Sequence, residues 1–301
     1  MEVEETHKMK IMITGSNGQL GNELQSILKT GKSEIGEMPK ALEGAKIFAV
    51  DVDSLDITDN LAVRKYVLEN KPNVIINCAA MTNVDGCESD YPTAFKVNAM
   101  GVRNLAQAAK AIGAKLIHVS TDYVFAGDGT KPYVEWDQIN PQSAYGASKA
   151  LGEKYAMAFC DKTFVVRTSW LYGLIGKNFV KTVRRVIRER GGITVVNDQR
   201  GNPTNANDLA HHLLKLALTE EYGIYHCTGE GECTWYDFAV KIAEYSGLGD
   251  TVKPCTSEEF PTPTKRPAYS SLRNLALECT VGNEMRDWQS ALKDYISKLE
   301  D

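Results

Sequence analysis

The run Lys10-Ile-Met-Ile-Thr14 leads directly into Gly15-Ser-Asn-Gly18-Gln-Leu-Gly21 and then into an amphipathic stretch reaching Leu28. A β-branched strand, a glycine turn and a helix that begins inside the glycine pattern leave few choices of fold. The alternation continues. Lys46-Ile-Phe-Ala-Val50, Asn73-Val-Ile-Ile-Asn77, Lys115-Leu-Ile-His-Val-Ser120 and Thr163-Phe-Val-Val-Arg167 read as further strands, with helical patterns at 58–69, 91–112 and 143–160. Strands that are apolar along their whole length are buried on both faces, which implies a parallel sheet covered by helices on both sides. Right-handed crossovers make this an α/β, Rossmann-type doubly wound sheet, with ligands expected at the carboxyl ends of the strands.

Beyond about residue 170 the regular alternation stops. A helix near 178–190, a strand Ile193-Thr-Val-Val196, a helix near 205–219, a strand Ile224-Tyr-His-Cys227 and a tryptophan-containing helix from near Thr234 follow, then the proline-rich loop Phe260–Pro267. The 301 residues suffice for one large α/β domain or two smaller ones at about 150 residues each. The division expected is a dinucleotide-binding domain of residues 10–170 and 205–228, with a smaller discontinuous substrate-binding lobe of 171–204 and 229–301. Residues 31–45 read as an enlarged connection before the second strand, with no role assigned.

Composition excludes several classes. The chain is 43% hydrophobic and 24% charged with a net charge of −5, near the soluble average. No basic excess marks a nucleic-acid footprint, and no apolar run approaches the roughly 18 residues of a membrane span. Met1–Met9 is polar and acidic, unlike a signal peptide. Seven cysteines without a CxxC pair suggest a reducing compartment, with neither a disulfide framework nor a zinc ribbon. A cytoplasmic enzyme without a bound metal, and with neither nucleic acid nor membrane as partner, is the expectation.

The glycine segment is placed to take a dinucleotide. Gly15, Gly18 and Gly21, with Asn17, Gln19 and Leu20 between them, allow a pyrophosphate close to backbone N–H groups at a helix N-terminus. Asp51 ends the second strand, where a carboxylate hydrogen-bonds the adenosine ribose and disfavours a 2′-phosphate. This tilts the cofactor toward NADH without excluding NADPH. Asp51 lies thirty residues past Gly21, a spacing the 31–45 insertion explains; the alternative is a solvated loop aspartate. Asp56 and Ile57 offer a polar and an apolar flank for adenine. Cys78, Ala79 and Ala80 end the third strand with small side chains, suited to a flat-lying cofactor or to close helix–strand packing.

Tyr145 and Lys149 are spaced i,i+4, so they share one helical face. An ammonium beside a phenol stabilises the phenolate and is expected to lower the tyrosine pKa from about 10. Such a tyrosine serves as an acid/base catalyst. Ser120-Thr121-Asp122-Tyr123-Val-Phe125 closes the fourth strand, where a hydroxyl can meet a substrate oxygen opposite Tyr145.

Together with the glycine motif, Thr121 and the Tyr145/Lys149 pair resemble the extended short-chain dehydrogenase/reductase superfamily. Further blocks follow in order: Asn140-Pro-Gln-Ser-Ala-Tyr-Gly146, Arg167-Thr-Ser-Trp170-Leu-Tyr-Gly173, Asn178-Phe-Val-Lys-Thr182, Asn197-Asp-Gln199, Gly201-Asn-Pro203-Thr204, Thr234-Trp-Tyr-Asp237 and Pro263-Thr-Lys-Arg266-Pro267. With these the chain resembles the dTDP-4-dehydrorhamnose reductase family from about Lys10 to Trp288. The resemblance implies NAD(P)H-dependent reduction of the C4 ketone of dTDP-4-dehydro-β-L-rhamnose, a step of nucleotide-sugar biosynthesis. It makes Tyr145 the proton donor to O4, Lys149 the group that binds the nicotinamide ribose and tunes Tyr145, and Thr121 the polariser of the carbonyl. Thr82, Val84, Asp122 and Asn178 become candidate substrate contacts. Trp170 is either a sugar platform or a core tryptophan, and Arg266 either a diphosphate ligand or a surface arginine.

Two departures qualify the resemblance. Met81 stands where some members carry histidine. Glu23 remains, but Gly191-Gly192 occupies a segment where magnesium-bridged dimers carry acidic residues. A monomer or weak homodimer without magnesium is therefore expected. Alternative readings are an epimerase or dehydratase of the same superfamily, and a non-catalytic regulatory subunit similar to the methionine adenosyltransferase partner.

Overall fold

A computed structural model describes residues 8–300; residues 1–7 of the acidic lead-in lie outside the described residues. In chain order the main elements are β1 (Lys10–Thr14), α1 (Gln19–Thr30), β2 (Lys46–Val50), α2 (Asn60–Asn70), β3 (Val74–Asn77), α3 (Val84–Ser89), α4 (Tyr91–Phe95), α5 (Val102–Ile112), β4 (Lys115–Thr121) and α6 (Ala144–Phe159). There follow β5 (Thr163–Thr168), α7 (Phe179–Arg190), β6 (Ile193–Val196), α8 (Ala206–Ala217), β7 (Gly223–His226), α9 (Trp235–Tyr245), β8 (Val252–Cys255), α10 (Leu275–Cys279) and α11 (Trp288–Ser297).

Among the described residues the central sheet has six strands in the order β7-β5-β4-β3-β1-β2, all paired in parallel. Side chains alternate across it with a period of two. Ile11 and Ile13 pack toward α1 and α8 beside Leu24 and Leu213. Met12 and Ile75 pack toward α2, α5 and α6 beside Val67, Leu105 and Ala156. Strand order reverses between β1 and β3, and the crevice at that switch point is where such sheets bind ligands.

A separate core gathers Val180 of α7, Phe238 of α9 and Leu292 and Tyr295 of α11, with Tyr172. Beside it β6 and β8 form a parallel pair. The lobe's core is thus distinct from the two cores of the sheet. Leu277 and Met285, though late in the chain, pack instead with the α1/α8 face of the sheet.

The stretch expected as one helix at 91–112 is three: α4, a π-helical segment Lys96–Gly101, and α5. Gly101 explains the tight packing here, since a Cβ would lie 2.6 Å from Ile57 Cδ1. Within the widened turn Asn98 clamps the loop after β3, accepting from Met81 N at 2.8 Å and donating to Met81 O at 3.1 Å.

The 31–45 connection also has a definite structure. Lys32–Ser33 pairs antiparallel with Gly36–Glu37. Ser33 Oγ bonds His211 Nδ1 of α8 at 2.7 Å, and the Glu34 carboxylate pairs with Arg286 at 2.7 Å and Lys298 at 2.6 Å. The insertion fastens the end of α1 to the C-terminal part of the fold.

Candidate active site

Gly15 turns the chain out of β1 with φ +62°, and a Cβ there would lie 2.7 Å from Ala79 N. Gly21 lets α1 approach the same turn, since its Cβ would lie 2.5 Å from Gly15 O. Gly18 is the N-cap of α1 and supplies no side-chain cap, so the first-turn N–H groups keep their capacity for an anion. The Asp51 carboxylate accepts from Asn17 N at 2.9 Å and Val52 N at 2.8 Å, which ties the end of β2 to the glycine loop. Asp56 Oδ1 accepts from Thr58 N at 2.8 Å, shaping its own turn.

These residues line one cavity of 970 Å³ along the carboxyl edge of the sheet. Gly15, Asn17, Gly18, Gln19, Leu20, Gly21, Asp51, Asp56 and Ile57 line it toward β1 and β2. Cys78, Ala79, Ala80, Thr82 and Val84 follow after β3, and Thr121, Asp122, Tyr145, Lys149 and Trp170 complete the other end. Burial pushes the Cys78 thiol up to about 12, so it faces the cavity uncharged.

Tyr145 and Lys149 lie on α6, whose N-cap Ser143 accepts from Gly146 N at 3.1 Å. Gly146 permits the closest approach in the site: a Cβ there would collide with Tyr123 O. The first turn of α6 is thereby pressed against the end of β4, and the Thr121 hydroxyl meets the Tyr145 phenol as a hydrogen-bond partner. Thr121 Oγ1 also donates to Asp122 Oδ1 at 2.9 Å. Burial pushes the Asp122 carboxyl up to about 6, held back by hydrogen bonds from Ser270 and Thr121.

The expected lowering of the Tyr145 pKa by Lys149 is corrected by the geometry. Burial raises the phenol well above its ordinary value, and Thr121 opposes the rise only in part. Lys149, also buried, directs Nζ to Val119 O at 2.6 Å. Burial brings its amine down to about 8, against the pull of Glu153 and Cys78. The i,i+4 spacing gives adjacency on the helix but says nothing of the desolvation that dominates both groups.

Trp170 sits just past β5 with φ +47°, a left-handed conformation uncommon for a bulky residue. It stacks on Trp235 with ring centroids 3.6 Å apart and planes at 9°. Gly201 makes room, since a Cβ there would lie 2.6 Å from Trp170 Cε2. Trp235 lines the cavity and was not singled out from the sequence, although the Thr234/Asp237 capping box that fixes it at the start of α9 is legible there. Met81, Tyr123 and Ser169, which stand in or beside the quoted motifs without an assigned role, also line the cavity, and so does Lys177, which no motif marked.

Asn178 and Arg266 are not among the residues lining this cavity. Asn178 is the N-cap of α7, and its Nδ2 reaches Gln19 Oε1 at 3.0 Å, Gly173 O at 2.9 Å and Tyr295 Oη at 3.1 Å. Its bond to Gln19 and its place next to Lys177 in the chain join it to the cavity wall. Arg266 pairs with Asp85 of α3 at 3.2 Å, and Asp85 also accepts from Thr264 N at 3.2 Å. This joins the proline-rich loop to the cavity wall.

A parallel sheet with a glycine turn at its switch point, continuous with a buried Thr–Tyr–Lys constellation, defines an oxidoreductase that uses a nicotinamide dinucleotide. The chain belongs to the family described as the RmlD substrate binding domain, whose model matches residues 9–301. It is similar to the dTDP-4-dehydrorhamnose reductase of Aggregatibacter actinomycetemcomitans, with 40% identity covering 97% of this chain and 99% of the relative. Among solved structures it resembles a dTDP-4-dehydrorhamnose reductase of Clostridium acetobutylicum, with 50% identity, a TM-score of 0.90 and coverage of 96% of this chain and 99% of that one. It also resembles the Bacillus anthracis dTDP-4-dehydrorhamnose reductase in complex with NADP, with 40% identity, a TM-score of 0.90 and coverage of 97% and 100%.

Proposed function

We propose that this chain reduces the C4 ketone of dTDP-4-dehydro-β-L-rhamnose to give dTDP-L-rhamnose. The observation that carries the reading is the Thr121–Tyr145 contact, with Lys149 one turn on, in the same cavity as the glycine loop. The uncapped first turn of α1 fits a pyrophosphate, and Asp51 beside it fits a ribose hydroxyl better than a second phosphate. NADH is therefore favoured, with NADPH as the alternative. When bound, the dinucleotide supplies the hydride.

The chain's own residues supply the rest. Tyr145, whose phenol keeps its proton at neutral pH, gives that proton to O4 as negative charge develops there. Thr121 turns its hydroxyl from Asp122 to donate a hydrogen bond to the same oxygen, and the Lys149 ammonium stabilises the phenolate left behind. The Trp170–Trp235 stack offers a flat apolar face to the sugar, with Thr82, Val84 and Asp122 around it. Arg266 reaches the substrate diphosphate by exchanging its carboxylate partner Asp85 for phosphate oxygens. Residues 10–170 with 205–228 act as the dinucleotide-binding domain and residues 171–204 with 229–301 as the substrate lobe. The active species is a monomer or weak homodimer independent of magnesium, and a dimer abolished by EDTA in light scattering would overturn that.

The purified chain is tested with dTDP-4-dehydrorhamnose and each reduced nicotinamide. Loss of reduced-nicotinamide absorbance, one equivalent per ketone, is expected. An epimerase or dehydratase returns its hydride and shows no net loss, and a regulatory subunit shows no turnover. Tyr145→Phe should lower kcat by about 10²-fold or more while cofactor affinity holds, and wild-type turnover in that variant would remove Tyr145 from its role.

A further inference from the structure

Behind the reacting pair lies a buried charged cluster that the reaction as described does not use. Glu153 stands one turn beyond Lys149 on α6 and is 4% exposed. Arg167, in β5, grips it with two parallel bonds, Nε to Oε1 at 2.9 Å and Nη2 to Oε2 at 2.8 Å. Ser120, the residue before Thr121, donates its hydroxyl to Oε1 at 2.5 Å. Arg167 is itself held, with Nη1 donating to Glu135 O at 3.2 Å and the guanidinium 5.0 Å from the centre of the Phe125 ring.

A buried ion pair is a weak device for stability, since an apolar pair of similar volume often serves as well. What sets this one apart is its neighbour. An i,i+4 spacing brings the Glu153 and Lys149 side chains together on one face of α6, and the Lys149 ammonium donates a hydrogen bond to the neutral Val119 carbonyl. The other titratable groups facing Lys149 are the Cys78 thiol after β3, the buried neutral His118 imidazole of β4 and the Tyr145 phenol on its own helix. Of these groups Glu153 is the carboxylate, and Ser120 and Arg167 fix its position from two strands.

We propose that Glu153 is a positioning residue whose carboxylate, aimed by Arg167 and Ser120, holds the positive charge of Lys149 at the floor of the active site. The inference rests on the reading of Tyr145 and Lys149 as the reacting pair. Burial works to discharge Lys149, and Glu153 opposes it. Arg167 carries the opposite charge and moderates Glu153. The two members of the ion pair therefore act on Lys149 with opposite sign, which a purely structural pair would not do.

The test is the pH dependence of kcat/KM for the wild type, Glu153→Gln, Arg167→Met and the double variant. The wild type should show an alkaline limb near the Lys149 value of about 8. Glu153→Gln should move that limb down by about one pH unit, and Arg167→Met should move it up. The double variant should move it down by less than Glu153→Gln. Lost packing alone lowers the folded fraction and the amplitude of the profile without moving the limb, so limbs coincident with the wild type in the folded variants overturn the proposal. Should Glu153→Gln fail to fold with Arg167 left unpaired, the double variant, which buries no unpaired charge, decides by itself: a lowered limb supports the proposal and an unmoved one overturns it. Tyr145→Phe separates the two levels. Full turnover in that variant removes the reacting pair and this inference with it, whereas an inactive Tyr145→Phe beside unmoved limbs sinks the inference alone.

Discussion

Lys149 has a cost in the folded state as well as a chemical role. Its folded value of about 8 lies below the ordinary 10.5, so near neutral pH the fold carries a buried ammonium. At ~1.4 kcal/mol per pH unit this penalty is on the order of 3 kcal/mol. It is complete below pH 8 and fades as pH rises from 8 toward 10.5, where the unfolded chain also gives up its proton. Lys149→Met should therefore raise Tm near neutral pH while turnover collapses, and the gain in Tm should shrink at about pH 10. Thermal denaturation at the two pH values checks this, and a Tm below wild type near neutrality would contradict it. Tyr145 sits beside it as a phenol that burial keeps protonated. The spacing of the two residues was legible in the sequence, but their shared desolvation was not, because the strands that enclose them are far away in the chain.

At the scale of elements, α7 shows how the two halves of the cavity meet. Its N-cap, Asn178, bonds Lys181 N at 3.0 Å and also reaches Gln19, Gly173 and Tyr295. Asn178→Ala should cost about 1–2 kcal/mol as a lost cap. It should also raise KM for the dinucleotide by freeing Gln19, while kcat changes little. Tm and steady-state kinetics check this, and a fall in kcat with KM unchanged would instead place Asn178 on the substrate. The six strands of the sheet were readable because continuous apolar runs have one explanation in a doubly wound fold. β8 was missed since Lys253 and Pro254 interrupt the pattern, and proline is at home in a short two-stranded edge. The short helix α3 hid behind Asp85 and Gly86. Asn178 and Arg266 were named from motif position, yet their partners Gln19 and Asp85 lie 159 and 181 residues away. No local pattern encodes such pairings.

Across the whole molecule, four histidines among the described residues are pushed toward the neutral form chiefly by burial: His118, His211, His212 and His226. His212 is lowered from 6.5 to about 4 and His226 to about 3, burial being the leading cause in both. A base depressed in the fold stabilises it above the unfolded value and loses that contribution as the unfolded chain takes up protons. The loss begins as pH falls through 6.5 and continues toward 3. The buried carboxyls Asp122 and Asp208, raised by burial, run the other way but are fewer. Tm should drop by on the order of 5 °C between neutral pH and pH ~5, measured by calorimetry, and a flat profile would show the histidines to be wetter than their packing implies. Reduction of a nucleotide-bound ketone thus rests on a scaffold poorly suited to acid.

The hairpin inserted after α1 has a consequence for how this chain is made. Glu34 is largely enclosed, with its carboxylate held by Arg286 and Lys298. Arg286 lies 252 residues downstream. On the ribosome, β1, α1 and the hairpin emerge long before either cation exists, so the glutamate must wait, hydrated and unclamped, through most of translation. The first helix of the sheet can form early, but its far end is locked only when synthesis has nearly finished, which makes completion of this fold a late event.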